Sequence, residues 1–205
     1  MMMNTDYRDF FVLEVGSDRL DYASLFGNEH PTFIEIGSGK GEFISQYPLL
    51  HPDFNFIGFE LKQKRIEIIL RKLKINQHHN VRLARKFIDH SITDFLPPES
   101  IKGVFIQHPD PWPKRRHHKR RLINQDFLKA LSDILMHDGF VQISTDHDEY
   151  AAWIVDEFLA SPYFSSVYED IVLHKPGLDN HVVTWFEQEQ RRLGFEPKFM
   201  LFRKI

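Results

Sequence analysis

From residue 31 onward, short apolar runs alternate with stretches whose apolar positions recur at helical spacing. The runs are residues 32–36, 55–60, 81–84, 103–107 and 140–144, each bounded by turn-forming residues. Runs this short predict buried strands. Between them, residues 61–75 place Ile66, Ile69, Leu70 and Leu73 at i, i+3, i+4 and i+7, which predicts a helix. Further helices are expected from residue 42, over 124–136 and over 149–159. The last forty residues suggest two more strands, 164–173 and 198–204, flanking a short helix over 185–193. Residues 1–30 are weakly patterned and are expected to form an N-terminal arm with a short helix or turn, leaving residues 31–205 as a single domain.

Strands that alternate with helices imply an α/β fold with a mostly parallel sheet and helices on both faces. Right-handed crossovers collect the carboxyl ends of those strands along one edge, and ligands bind at that edge. Chemistry-bearing residues should therefore sit just after strands. Glu35, Gly37, Glu60, Asp110 and Asp146 all lie at or just beyond a predicted strand end.

Composition narrows the chemistry. A chain of 205 residues can bury a core without disulfides or metals. It has no cysteine, which excludes a disulfide scaffold, a thiolate zinc site, an iron–sulfur cluster and a cysteine nucleophile. No apolar run approaches the roughly 18 residues of a membrane span. The start lacks the basic-then-apolar pattern of a secretory signal, so a cytoplasmic location is expected. The net charge of −3 hides a local extreme: every residue from Lys114 to Arg121 is Lys, Arg or His. A polyanion at short range responds to such a local field.

Three segments carry candidate chemistry. Gly37-Ser38-Gly39-Lys40-Gly41 follows the first of the predicted strands and opens a helix. Its glycines allow a tight turn and close approach of a ligand. The spacing differs from the G-x-G-x-x-G of dinucleotide binding and lacks the ending of a phosphate-gripping loop. That favours a ligand without phosphates, although a plain strand-to-helix turn would read the same way. Glu60, ending the next strand, suits two ribose hydroxyls, and otherwise is a solvent-facing strand end. Glu35 lies inside an apolar strand, where an unpaired carboxylate is costly. It needs a backbone donor from the glycine turn or the ammonium of a bound amino-acid moiety.

The second segment is His108-Pro109-Asp110-Pro111-Trp112-Pro113. Three prolines fix the backbone around Asp110 and Trp112. Asp110 can accept hydrogen bonds from a guanine edge, whereas Trp112 fits packing under the loop better than stacking on a base. The third segment is the basic run that follows. A charge run is usually a solvated face, but this one extends from a stiff loop at the predicted ligand edge. Adjacent His117 and His118 point in different directions, and the histidines show no helical His-x-x-x-His spacing, so no metal site is expected.

These residues resemble the bacterial tRNA (guanine-N7)-methyltransferases. The resemblance rests on residues 35–41, on Gly58-Phe59-Glu60, on Asp110 to Lys114 and on Arg116 to Leu122. Ser144-Thr145-Asp146 and Thr184-Trp185-Phe186-Glu187 extend it, and it runs from about Phe26 to the end. It implies a class I, Rossmann-like methyltransferase with a seven-stranded, mostly parallel sheet. It further implies methyl transfer from S-adenosyl-L-methionine to N7 of the variable-loop guanine of tRNA. Glu35, Gly37, Gly39, Glu60 and Asp110 then match cofactor-binding positions, and Asp110 also the catalytic aspartate. Lys114, Asp146, Thr184, Trp185, Phe186 and Glu187 match substrate-binding positions. Arg116, His117, His118, Lys119, Arg120 and Arg121 match an RNA-contacting segment. The partner implied is tRNA, with no membrane and no obligatory protein partner, for a monomer or homodimer.

One position departs from the family. Phe87 stands where an Asp or Asn usually meets the adenine amino group, so either Asp89 serves or backbone and ring stacking do. Phe87 is also the only support for an alternative, a non-catalytic RNA-binding module on a decayed methyltransferase scaffold. A nicotinamide oxidoreductase fits the glycine spacing poorly, and a metal hydrolase lacks ligand spacing.

Overall fold

The computed structural model describes residues 5–16 and 18–205. In chain order the elements are α1 (Thr5–Phe11), β1 (Val12–Leu13), α2 (Tyr22–Phe26), β2 (Thr32–Ile36), α3 (Glu42–Leu50), β3 (Asn55–Phe59), α4 (Gln63–Leu70), β4 (Val81–Ala84), β5 (Ile101–Gln107), α5 (Gln125–Ile134), β6 (Leu135–Thr145), α6 (Asp148–Ala160), β7 (Phe164–Ser166), α7 (Trp185–Arg192) and β8 (Lys198–Lys204). Two 3-10 turns, His90–Asp94 and Arg115–Arg120, complete the list.

The strands form one sheet in the order β1-β4-β3-β2-β5-β6-β8-β7. All neighbours are parallel up to β6, and β8 runs antiparallel to both β6 and β7. The expected parallel α/β sheet is therefore present, with eight strands instead of seven. The extra one is the two-residue β1, which pairs with β4 through Val12 and Leu13. Strands β2, β3 and β4 are buried at every position, the signature of a sheet covered on both faces. One apolar cluster gathers Ile34, Ile57, Val104, Ile106 and Ile143 with Phe127, Leu131 and Ile154. The other gathers Phe33, Phe56, Leu83 and Phe105 with Phe43, Ile66 and Ile69.

Some boundaries differ from the sequence reading for local reasons. Helix α4 begins at Gln63, because Lys62 is extended as its N-cap, and it stops at Leu70. The strand expected over 164–173 shortens to Phe164–Ser166, with a single further bridge from Leu173 to Phe199. Within residues 1–30, Tyr7 donates to the Leu70 carbonyl at 2.9 Å and Arg8 pairs with Glu67 at 2.6 Å. Arg82, buried on β4, donates to the Leu25 carbonyl at 2.5 Å. These bonds fix the N-terminal elements to the β4 side of the sheet.

Central strand β2 leads into the glycine turn, where Gly37, Gly39 and Gly41 have φ of 82°, 58° and 81°. Positive φ at three alternate positions is inexpensive only for glycine. Gly41 is the N-cap of α3, and a Cβ there would lie 2.6 Å from Ile69 Cγ1 on α4. Strain and overpacking then act together. Gly41→Ala should lower unfolding stability by about 2–4 kcal/mol. Urea denaturation checks this, and an unchanged midpoint would contradict it.

Candidate active site

A cleft opens at the carboxyl edge of β2, β3 and β5, in the middle of the sheet. Its floor and walls include Glu35, the glycine turn from Gly37 to Lys40, Gln107, His108 and Asp110. Thr184, Trp185 and Phe186 at the start of α7 close one side. Residues expected from four separate stretches of sequence thus meet in one place.

Glu35 is 3% exposed. Its Oε1 accepts from Gln107 Nε2 at 3.3 Å, while its Oε2 has no partner. Ser38 Oγ and Gln107 Oε1, both buried beside the cleft, also lack partners. Burial pushes the Glu35 carboxyl up to about 8, and the nearby Glu42 and Glu60 carboxylates push the same way. Glu35 Oε2 and Gln107 Oε1 are buried acceptors without a donor in hydrogen-bond geometry among the described residues, and the Ser38 hydroxyl beside them can donate as well as accept.

Glu60 is also buried. Its Oε2 accepts from Gly39 N at 3.0 Å and its Oε1 from Lys62 N at 2.8 Å, with Arg65 Nη1 at 3.3 Å. It therefore holds the glycine turn in shape, and a carboxylate's remaining lone pairs are what it could offer a ligand. Asp89 caps the 3-10 turn after β4 and accepts from Ser91 N and Oγ at 2.9 and 2.7 Å. Both bonds go to Oδ1, which leaves Oδ2 for another partner, and Phe87 is 63% exposed.

Asp110 sits on the cleft wall with its side chain exposed. Asp146, after β6, accepts from His108 Nδ1 at 3.1 Å. Burial would raise the Asp146 carboxyl, but the His108 hydrogen bond and neighbouring histidine charge outweigh it and hold it below the usual range. Thr184 is the N-cap of α7, and its hydroxyl oxygen accepts from Glu187 N at 3.1 Å. Trp185 and Phe186 are 46% and 41% exposed. Lys40 Nζ lies 3.1 Å from the Trp185 ring centre, which joins the glycine turn to α7.

Two of the expected site residues are buried and paired with other side chains. Glu187 does not face the cleft. It is fully buried, with Oε2 bonded to His181 at 2.8 Å and Oε1 to two Arg191 nitrogens at 3.0 Å. A carboxylate held by a histidine and a guanidinium is an anchor for α7, not a free hand for a base. Arg121 is likewise buried. Its Nε donates to the Pro111 carbonyl at 2.9 Å and its Nη2 to Glu149 at 2.8 Å. Its guanidinium lies over Trp153 and Tyr150. It braces the proline loop from beneath.

The rest of the basic run divides between surface and packing. Lys114, Arg116, Lys119 and Arg120 are exposed, and His117 and His118 are half-buried. His117 meets Trp112 edge-on at 5.8 Å, and His118 meets Trp153 at 5.7 Å. Arg120 also sits over the Trp112 ring, so Trp112 is a packing platform under the run.

Ser38, Lys40, Glu42, Arg65, Gln107 and His108 line the cleft without having been singled out. Gln107 and His108 carried a usable signal: they are polar residues ending an apolar run.

The sheet order and the cleft at its carboxyl edge define a Rossmann-like α/β fold with its ligand edge open. A family model described as "Putative methyltransferase" matches residues 29–200. Proteins named tRNA (guanine-N(7)-)-methyltransferase are similar along most of the chain. The one from Nitrosospira multiformis is 34% identical over 185 residues, covering 90% of this chain and 80% of its own. The Bacillus subtilis protein is 35% identical over 172 residues, 83% of this chain and 79% of its own. The Thermotoga maritima protein is 33% identical over 187 residues, and this chain spans 58% of its length. The chain belongs to the tRNA (guanine-N(7)-)-methyltransferase family. Among solved structures, the aminoglycoside resistance methyltransferase NpmB1 matches at TM-score 0.58 and 12% identity, covering 89% of this chain and 91% of its own. An rRNA methylase from Streptococcus thermophilus matches at 0.56 and 11%, covering 87% and 89%. At such identities these two show the shared fold.

The raised Glu35 carboxyl has a measurable effect in the ligand-free protein. Between the ordinary carboxylate value and about 8, the folded protein keeps a proton that the unfolded chain has released. The stability this confers is complete below that window, falls as pH rises through it and is gone above about 8. Glu35→Gln cannot titrate, so the variant should gain stability relative to wild type across this range. Urea midpoints at several pH values test it, and a pH-independent difference would contradict it.

Proposed function

We propose that this protein transfers a methyl group from S-adenosyl-L-methionine to N7 of the variable-loop guanine of tRNA. The observation that carries the reading is the sharing of one rim. Glu35, Ser38, Gln107 and Asp110 line one cleft, and the cationic turn Arg115–Arg120 begins five residues after Asp110.

The acceptor cluster fits the cofactor's amino-acid end. An ammonium brings donors for Glu35 Oε2 and Gln107 Oε1, and its charge favours the ionised form of Glu35. Glu60 stands at the ribose position, beyond the glycine turn. On this reading the adenine would lie toward the end of β4, where Phe87 and Leu61 are exposed, and the order β4-β3-β2-β5 supports it. When bound, the cofactor supplies an electrophilic methyl group on a cationic sulfur.

Guanine N7 carries a free lone pair at neutral pH, so the protein's task is placement, not deprotonation. N7 has to meet the methyl in line at near-attack distance. Asp110 holds the base edge and offsets the positive charge that develops on the ring. The Thr184 hydroxyl, whose oxygen already accepts from α7, keeps its hydrogen for a base oxygen. Trp185 and Phe186 offer aromatic surface to the base. Glu187 acts behind them, by holding α7 in place. Outside the cleft, Lys114, Arg116, Lys119 and Arg120 meet the tRNA backbone.

The cleft residue and the basic turn make separable contributions. Asp110→Asn should lower kcat for methyl incorporation into tRNA by about 100-fold while leaving tRNA affinity nearly unchanged. Wild-type turnover would remove Asp110 from the mechanism.

Each exposed cation that neutralises a phosphate adds about 0.7–0.9 to the log–log salt slope of binding. Replacing Arg116, Lys119 and Arg120 together by Ala should therefore flatten the slope by about 2–3. Arg121→Met should leave the slope intact and instead cost about 1–3 kcal/mol of stability through its lost bonds. The reverse pattern would contradict both assignments.

A further inference from the structure

His108 lines the cleft but has no part in the chemistry proposed above, and it is held on several sides. It follows the last residue of β5 and precedes Pro109 and Asp110. Its φ is 49°, a left-handed conformation that a bulky residue seldom adopts and that a following proline further disfavours. Three contacts oppose the strain. His108 N donates to the Ser144 carbonyl at 2.8 Å, which ties it to β6. Its Nδ1 lies 3.1 Å from Asp146 Oδ1. Its ring packs against Phe186 with centroids 5.0 Å apart. The side chain is 4% exposed, and its Nε2 is buried without a partner. One residue thus links the Asp110 loop, the Asp146 loop and the start of α7.

The direction of the hydrogen bond follows from the acceptor. An ionised Asp146 can only accept, so the ring hydrogen belongs on Nδ1. This is the second-partner logic by which a carboxylate fixes an imidazole tautomer. We propose that His108 is a positioning residue for the methyl-acceptor site: held as the Nδ1–H tautomer by Asp146, it fixes the turn that aims Asp110 and orients the Asp146 carboxylate toward the base. This rests on the guanine-methylation reading.

Three variants separate positioning from filling. His108→Phe keeps a ring against Phe186 but loses the donor. His108→Asn puts an amide N–H near the place of Nδ1, and His108→Gln puts one near the place of Nε2. Nitrogen-15 NMR of the wild type should show the Nδ1–H tautomer for His108, and Asp146→Asn should abolish that preference. In tRNA methylation, His108→Phe and His108→Gln should lower kcat by about 10–100-fold, the scale of a small misplacement of reacting groups. Their adenosylhomocysteine affinity by calorimetry should stay within about twofold of wild type, and His108→Asn should recover most of the loss. An Nε2–H tautomer in wild type, or equal rates for the Phe and Asn variants, would overturn the positioning role alone. A wild type that binds adenosylhomocysteine but leaves tRNA unmethylated would overturn the functional reading, and the role with it.

Discussion

A carboxyl group sits in a central strand of the sheet with one oxygen, Glu35 Oε2, that meets no partner in hydrogen-bond geometry among the described residues. Burying Glu35 in β2 costs stability unless a donor or cation arrives. Burial raises the carboxyl to about 8, which favours its neutral form at ordinary pH. A cationic ligand end reverses that balance. Of the cations that line the cleft, Arg65 pairs with Glu60 and Lys40 lies over Trp185, and the elements around Glu35 hold the floor in place. Glu60 locks the glycine turn through Gly39 N, and Gln107 reaches across from β5.

The second half of the site depends on the same strand edge. Strand β5 ends at Gln107 and delivers Asp110 three residues later, while His108 between them reaches Asp146 after β6. The proline loop needs support from below, and buried Arg121 supplies it through the Pro111 carbonyl and Glu149. One end of the basic run thus anchors the loop, while its exposed cations face outward. Helix α7 closes the opposite wall, held by Thr184 as its cap and by Glu187 between His181 and Arg191. Structural and chemical duties fall on adjacent residues within each motif.

That adjacency explains what the sequence could and could not reveal. The parallel sheet was legible because β2, β3 and β4 are short, mostly apolar runs bounded by turn-forming residues. The cleft was legible because Glu35, Glu60 and Asp110 break or end such runs. Burial within a polar motif was not legible. Arg121 reads as one more cation after Arg120, and only the packing of Trp153 and Tyr150 around it shows that it turns inward. Glu187 reads as a free carboxylate, since its partner Arg191 lies one helical turn away and His181 comes from the preceding loop. The short β1 escaped for another reason: two residues carry no periodicity, and their pairing with β4 is a long-range fact.

The account stands on donor and acceptor meeting at a single rim, with guanine N7 presented there. Unmodified tRNA incubated with the protein and methyl-labelled S-adenosyl-L-methionine, then cleaved with aniline at N7-methylated guanines, tests this directly. The predicted result is label in tRNA and one new cleavage, in the variable loop, dependent on the protein. Label that resists aniline cleavage, or cleavage elsewhere in the tRNA, would contradict it.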